Sequence, residues 1–232
     1  MHPTAIYNCQ QFFDVYAENF PTNSAKIVEI GSQDINGSLR SCAPSHLEYV
    51  GVDFVNGKGV DVVLDDPYKL PFASDSIDIA LSSSCFEHSE MFWLLFLEIM
   101  RILKPGGLFY LNAPSNGNFH RYPVDCWRFY PDSGKALISW AKHNGINAAL
   151  LESYTSMQID EHWNDYVAIY IKEESLAARY PKRILHTKRD FYNGTVLGSD
   201  NYLNHSEMPE DRLKLTTIKQ IIDNQIKTTV QR

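Results

Sequence analysis

A chain of 232 residues, 44% hydrophobic and 21% charged, is long enough to bury a full domain core and has the composition of an ordinary soluble globular protein. Its net charge of −7 disfavours the broad basic footprint that nucleic acid or an anionic membrane requires, so neither partner is expected. No apolar run approaches the roughly 20 residues of a membrane span, and residues 1–20 lack the basic start and apolar stretch of a secretory signal. Cys9, Cys42, Cys85 and Cys126 stand far apart with no C-x-x-C pair. That suits reduced thiols in a cytoplasm better than a disulfide framework or a zinc site, and no metal is expected.

In chain order, Ile6, Phe12, Phe13, Val15, Tyr16 and Phe20 recur at helical spacing until Pro21, which predicts a helical cap over residues 1–23. KIVEIG (26–31), HLEYVGVDF (46–54), GVDVVLDD (59–66) and SIDIALSSS (76–84) read as strands. The continuous apolar centre of the fourth predicts cover on both faces, as in parallel sheets. SEMFWLLFLEIMRIL (89–103) reads as a helix with Ser89 as N-cap, stopped by Lys104-Pro105-Gly106-Gly107. GLFYLNAP (107–114) is the fifth strand, DSGKALISWAKHNG (132–145) a helix, and NAALLESYT (147–155) and DYVAIYIK (165–172) two further strands. From 175 the chain is polar and interrupted until Leu215, Ile218, Ile222 and Ile226 mark one face of a final helix, packed on the domain or forming a homodimer contact. Alternating strands and helices predict an α/β, doubly wound, mostly parallel sheet. Its boundaries are a cap over 1–23, a sheet domain over 24–174 and a C-terminal extension over 175–232.

Ligands of such sheets bind at the carboxyl ends of the strands. There the sequence places Glu29, the loop Gly31-Ser32-Gln33-Asp34-Ile35-Asn36-Gly37, then Asp53-Phe54, and Asp65-Asp66. Gly31 has no Cβ to hold a ligand away from backbone N–H groups. Asp53 is suited to accept from vicinal ribose hydroxyls, and Asp65 or Asp66 from an exocyclic amine. The bland alternative for any one of these aspartates is a turn or cap.

Taken as a series, VEIGSQDING, YVGVDF, LDDPYKLPFASDSIDIALSSSCFEH and LEIMRILKPGGLFYLNAPS resemble the successive motifs of class I S-adenosylmethionine-dependent methyltransferases, over about residues 24–172. The resemblance implies a Rossmann-like, seven-stranded sheet and S-adenosyl-L-methionine as cofactor. It implies Glu29 and Gly31 in the loop beneath the methionine moiety, Asp53 at the ribose hydroxyls, Asp66 or its neighbour Asp65 at adenine, Ser83 and Ser84 on the methionine side, and Ser32, Gln33 and Phe54 as further cofactor-binding residues. The loop departs from the family's G-x-G-x-G, and it is not the dinucleotide pattern G-x-G-x-x-G either.

Methyl transfer from a sulfonium is a displacement at carbon that depends on positioning, and a hydroxyl acceptor also benefits from a base. FHRYPVDCWRFYPD (119–132) follows the fifth strand and supplies candidates for both tasks. His120 is a base candidate, and so is His88, which is as readily a structural support. Arg121 and Arg128 are suited to clamp an anion, Tyr122 and Trp127 to stack on a ring, and Asp125 to pair with an arginine or orient a histidine. The alternative is a loop tied down by its aromatics. The segment also resembles one found in bacterial enzymes of capsule, lipopolysaccharide and nucleotide-sugar modification. The expectation is therefore an O-methyltransferase of a small sugar or phosphate-bearing acceptor in surface-glycan biosynthesis. The alternatives are a catalytically silent partner protein, or a methyltransferase of another metabolite or of nucleic acid.

Overall fold

The structure, a computed structural model, describes residues 2–20, 25–159, 162–207 and 210–230. Strands β1 (Lys26–Ile30), β2 (Glu48–Asp53), β3 (Val62–Val63), β4 (Ile77–Ser83), β5 (Leu103–Pro114), β6 (Ala148–Ser156), β7 (Asp165–Lys172) and β8 (Phe191–Val196) form one sheet in the order β3-β2-β1-β4-β5-β7-β6-β8. Pairings from β3 through β5 are parallel, whereas β7 runs antiparallel to both β5 and β6, and β8 antiparallel to β6. Strand order reverses between β1 and its neighbour β4, which opens the crevice where doubly wound sheets bind ligands.

Alternation along the strands divides the core between two faces. Leu108 and Tyr110 of β5 pack with Phe12, Phe13 and Tyr16 of helix α1 (Pro3–Tyr16). Phe109 and Leu111 pack on the other side with Phe96 and Ile99 of α2 (Phe92–Ile102) and Leu137 of α3 (Ser133–His143). All seven residues of β4 are buried, as its unbroken apolar centre predicts. Pro3 opens α1 in the first turn, where its missing N–H costs nothing.

The structure departs from the sequence reading in several places. Among the described residues the sheet has eight strands instead of seven. The eighth, FYNGTV, lies in the stretch left unassigned because Asn193, Gly194 and Thr195 break the apolar alternation. The third strand contracts to Val62–Val63, since Asp61 turns its carboxylate to the Gly51 amide. Helix α2 begins at Phe92, so Ser89 is not its N-cap; Met91 holds that position without a side-chain bond, and Ser89 closes the 3₁₀ turn Phe86–His88. Pro105-Gly106-Gly107 does end α2, but it lies inside β5, where a register shift opposite Ile77 and Ile79 absorbs it. Helix α4 (Glu210–Val230) exists, yet Leu215, Ile218 and Ile222 are about half exposed or more, so that face is not packed on the domain. Ile226 lies outside the described side chains.

One buried carboxylate ties three parts of the chain together. Glu152 in β6 accepts from the Tyr16 hydroxyl at 2.6 Å and from the amides of Ile184 and Leu185 at 2.8 and 3.0 Å. Burial raises its pKa. Glu152→Ala leaves three buried donors without a partner, and we expect a loss of about 3 kcal/mol or more in urea unfolding. An unchanged midpoint would contradict this role.

Candidate active site

The cofactor side of the crevice is built from the ends of β1, β2 and β4. Gly31 adopts φ +80°, and a Cβ there would lie 2.6 Å from the Cβ and Sγ of Cys85. The glycine thus lets the loops after β1 and β4 touch. It does not free amides for a ligand, as the sequence suggested. The Gly31 and Ser32 amides donate to Val52, the Gln33 amide to Asp53 Oδ2 and the Asp34 amide to Lys58. Only the 3₁₀ turn Leu39–Ser41 follows, so no helix N-terminus faces the crevice from this loop.

Asp53 is 8% exposed at the end of β2 and accepts from the amides of Gln33 and Val55, both at 3.1 Å. Those two bonds fix its carboxylate and leave further lone pairs for hydroxyl donors. Phe54 beside it is half exposed. Asp65 and Asp66 are exposed; Asp66 Oδ1 takes the Tyr68 amide at 2.8 Å, the turn role weighed for it. Ser32 and Ser83 carry buried hydroxyls with no hydrogen-bond partner, and Ser84 turns with φ +51°. Orphaned hydroxyls beside a strand-end carboxylate fit a ligand with several polar groups. Glu29 lies deeper. It is 2% exposed and accepts from Tyr49 Oη at 2.8 Å; burial pushes it from 4.5 up to about 7, against the lowering pull of Tyr49 and Arg40.

The segment 119–132, the strap after β5, is fixed by main-chain bonds. The Glu87 carbonyl accepts from the amides of Cys126 and Trp127, and the Pro114 carbonyl from that of Phe129. Trp127 donates Nε1 to Ser89 and packs edge-on against Phe92 and Trp93, so its role is an anchor. Arg128 is also committed. It bonds both oxygens of Asp125 and the carbonyls of Asn118 and Trp127, and the guanidinium holds Asp125 down at about 2. Arg121 and Tyr122 are exposed at the mouth, and no ion pair engages Arg121 among the described residues.

His88 and His120 meet edge to face, with ring centroids 5.0 Å apart. His88 Nδ1 lies 2.5 Å from the Val124 carbonyl and must donate to it, leaving Nε2 as the lone pair. Burial lowers its pKa, so the ring is neutral near pH 7. The His120 amide donates to Asp125 Oδ2 at 2.7 Å, and its Nδ1 lies 3.0 Å from the Asn118 carbonyl.

Sequence reasoning missed three residues here. Glu87 is 1% exposed with Oε2 unpartnered, and burial raises it to about 8. Asp165 opens β7 opposite Pro114, fully buried, with neither carboxylate oxygen hydrogen-bonded and His2 Nε2 at 3.4 Å. Trp163 packs on His120 with centroids 5.1 Å apart. The available signals were Glu87 adjoining His88, and WND standing before a strand that must neighbour the fifth.

Residues 20–111 match the methyltransferase-domain family. That match supports a class I, S-adenosylmethionine-dependent methyltransferase domain over these residues. It is 35% identical over 85 residues to an uncharacterized methyltransferase of Mycobacterium marinum, covering 37% of this chain and 30% of that one. It is 41% identical over 69 residues to one of Mycobacterium tuberculosis, covering 30% and 27%. The chain thus spans under a third of the length of these curated relatives. Among solved structures it resembles the Burkholderia thailandensis 1,6-didemethyltoxoflavin-N1-methyltransferase, with TM-score 0.55, 13% identity, and 73% and 79% of the two chains covered. It also resembles the YcgJ protein of Bacillus subtilis, with TM-score 0.51, 13% identity, and 75% and 100% covered. Such identities speak for the fold alone. The family match ends at 111, so the methyltransferase domain as matched includes the cofactor crevice but neither the 119–132 strap nor Asp165.

Glu29 gives a pH signature. The folded state keeps a proton that the unfolded chain releases near 4.5, so this contribution to stability is complete below that pH and is lost as pH rises through about 7. Glu29→Gln removes the titration. Across that window we expect wild type to lose on the order of 2–3 kcal/mol more than the variant, read from urea midpoints; parallel pH profiles would contradict it.

Proposed function

We propose that the protein moves a methyl group from S-adenosylmethionine to an oxygen of a small polar acceptor, a sugar or phosphate-bearing metabolite of surface-glycan biosynthesis. The observation that carries this reading is the pairing of His88, in the turn after β4, with His120, in the segment after β5, each with its Nδ1 against a carbonyl. A hydroxyl needs such a group because the neutral oxygen is a weak nucleophile. His120, the more exposed of the two, takes the hydroxyl proton on Nε2, while His88 stays neutral behind it. Arg121 meets an anionic group of the acceptor and Tyr122 covers an apolar sugar face, both from the open side of the strap. Arg128 and Asp125 hold the strap in shape instead of touching the acceptor.

The cofactor, when bound, supplies an electrophilic methyl on sulfur. Asp53 holds the ribose hydroxyls, Asp66 or Asp65 reaches adenine, Phe54 covers one side, and the hydroxyls of Ser32 and Ser83 turn to the amino-acid part. Glu29 supports this floor from below. The protein works in the cytoplasm, as its unpaired cysteines suggest, and no described helix is long and apolar enough to cross a membrane.

The test is methyl transfer from labelled S-adenosylmethionine to a panel of nucleotide sugars and sugar phosphates, with the product analysed for a new methyl ether. Asp53→Asn should weaken cofactor binding about 10-fold or more, the equivalent of one charged hydrogen bond. His120→Ala should leave that affinity intact and lower turnover by about 100-fold. Unaltered cofactor affinity in the first variant, or an undiminished rate in the second, would remove the corresponding role.

A further inference from the structure

We propose that Glu87, His88 and His120 form a binding site for a divalent transition-metal ion, with open coordination positions toward the acceptor mouth. One donor atom from each of the three residues lies within 4.8 Å of the others. Two imidazoles and a carboxylate on one side of an ion are a recognised ligand set for zinc, iron and their neighbours.

Three independent features prepare the set. The Nδ1–H of His88 is directed to the Val124 carbonyl, which fixes the tautomer and turns the Nε2 lone pair toward Glu87 Oε1, 3.7 Å away. His120 is arranged alike, its Nδ1 lying 3.0 Å from the Asn118 carbonyl and 3.5 Å from Asp125 Oδ2. Imidazoles that ligate metals are commonly oriented by such second contacts. The third feature is Glu87 itself. Its side chain is buried, Oε2 has no hydrogen-bond partner, and its carbonyl is locked by the Cys126 and Trp127 amides. The nearby guanidinium of Arg128 bonds Asp125 and main-chain carbonyls instead of Glu87. A buried carboxyl oxygen left without a partner is costly, and a cation placed between it and the two rings satisfies it.

The protein would supply three ligands, so the remaining positions are open to oxygen donors such as vicinal hydroxyls, a carboxylate or a phosphate. That use of the ion rests on the methyl-transfer reading above; the binding of the ion does not. With the ion on Nε2, His120 no longer acts as a free base, and the ion polarises the same hydroxyl. Both readings therefore assign His120→Ala a loss of turnover, and only metal binding separates them.

The experiment is titration of the full chain, stripped with chelator, with Co2+ and Zn2+, followed by calorimetry and by the Co2+ visible spectrum. Expected are one ion per chain, a spectrum of nitrogen and oxygen ligands without a thiolate charge-transfer band, and binding at least roughly 10-fold weaker in both Glu87→Gln and His120→Ala. His120 stands on an exposed loop, so its variant reports even if the buried Glu87 variant fails to fold. No binding at millimolar metal, a thiolate band implicating Cys126, or unchanged affinity in folded His120→Ala would each overturn the proposal. None of these readouts uses S-adenosylmethionine, so the site can fail while the methyl-transfer reading survives, and the reverse.

Discussion

The Glu87 carbonyl is the point on which the arrangement of the 119–132 strap depends. It receives two amides from the middle of the 119–132 strap, and so bolts a long irregular segment to the loop that leaves β4. Irregular backbone needs such partners wherever it approaches the interior. Once Cys126 and Trp127 are held there, Trp127 falls against Phe92 and Trp93, Phe129 is drawn under Pro114, and the other end of the strap brings His120 onto His88. Asp125 completes the arrangement by joining the His120 amide to the Arg128 guanidinium. The strap is therefore anchored along its middle and C-terminal half, mainly by its aromatic residues, and carries the histidine pairing at its N-terminal end.

The crevice beside it follows from strand order. Because β1 pairs with both β2 and β4, strand order reverses at β1, and doubly wound sheets bind ligands at the strand ends beside such a reversal. Gly31 sets how closely those loops approach, through its contact with Cys85. Asp53 connects the two halves of this floor, since its carboxylate holds the Gln33 amide of the first loop and that of Val55 beyond its own strand. Chemistry and scaffold share the same residues here.

Much of the architecture was legible because the periodic signals are local. The apolar run of SIDIALSSS, the helical spacing of Phe92, Leu95, Phe96 and Ile99, and the break at Lys104-Pro105-Gly106-Gly107 each reflect short-range geometry, and each marks a real element or its end. Strand β8 was not legible because its buried positions include polar Thr195, which is held by the Ser153 hydroxyl, and Gly194, which packs against Phe191 and Leu185. The site divides on the same line. The strand-end positions of Asp53, Ser83 and Ser84 followed from the strands themselves. Which arginine is unpaired, which aromatic is buried, and that Asp165 lies buried opposite Pro114 all depend on contacts between distant segments. Arg128 and Arg121 look equivalent in the sequence, and only the bonds of Arg128 to Asp125 separate them.

The central claim is that this sheet holds S-adenosylmethionine although its first loop lacks the family's glycine pattern and uses its amides internally. Calorimetric titration of cofactor-free protein with S-adenosylhomocysteine tests it most directly. The account predicts binding of one ligand per chain with micromolar affinity. A folded protein that binds none would mean that the crevice no longer serves methyl transfer.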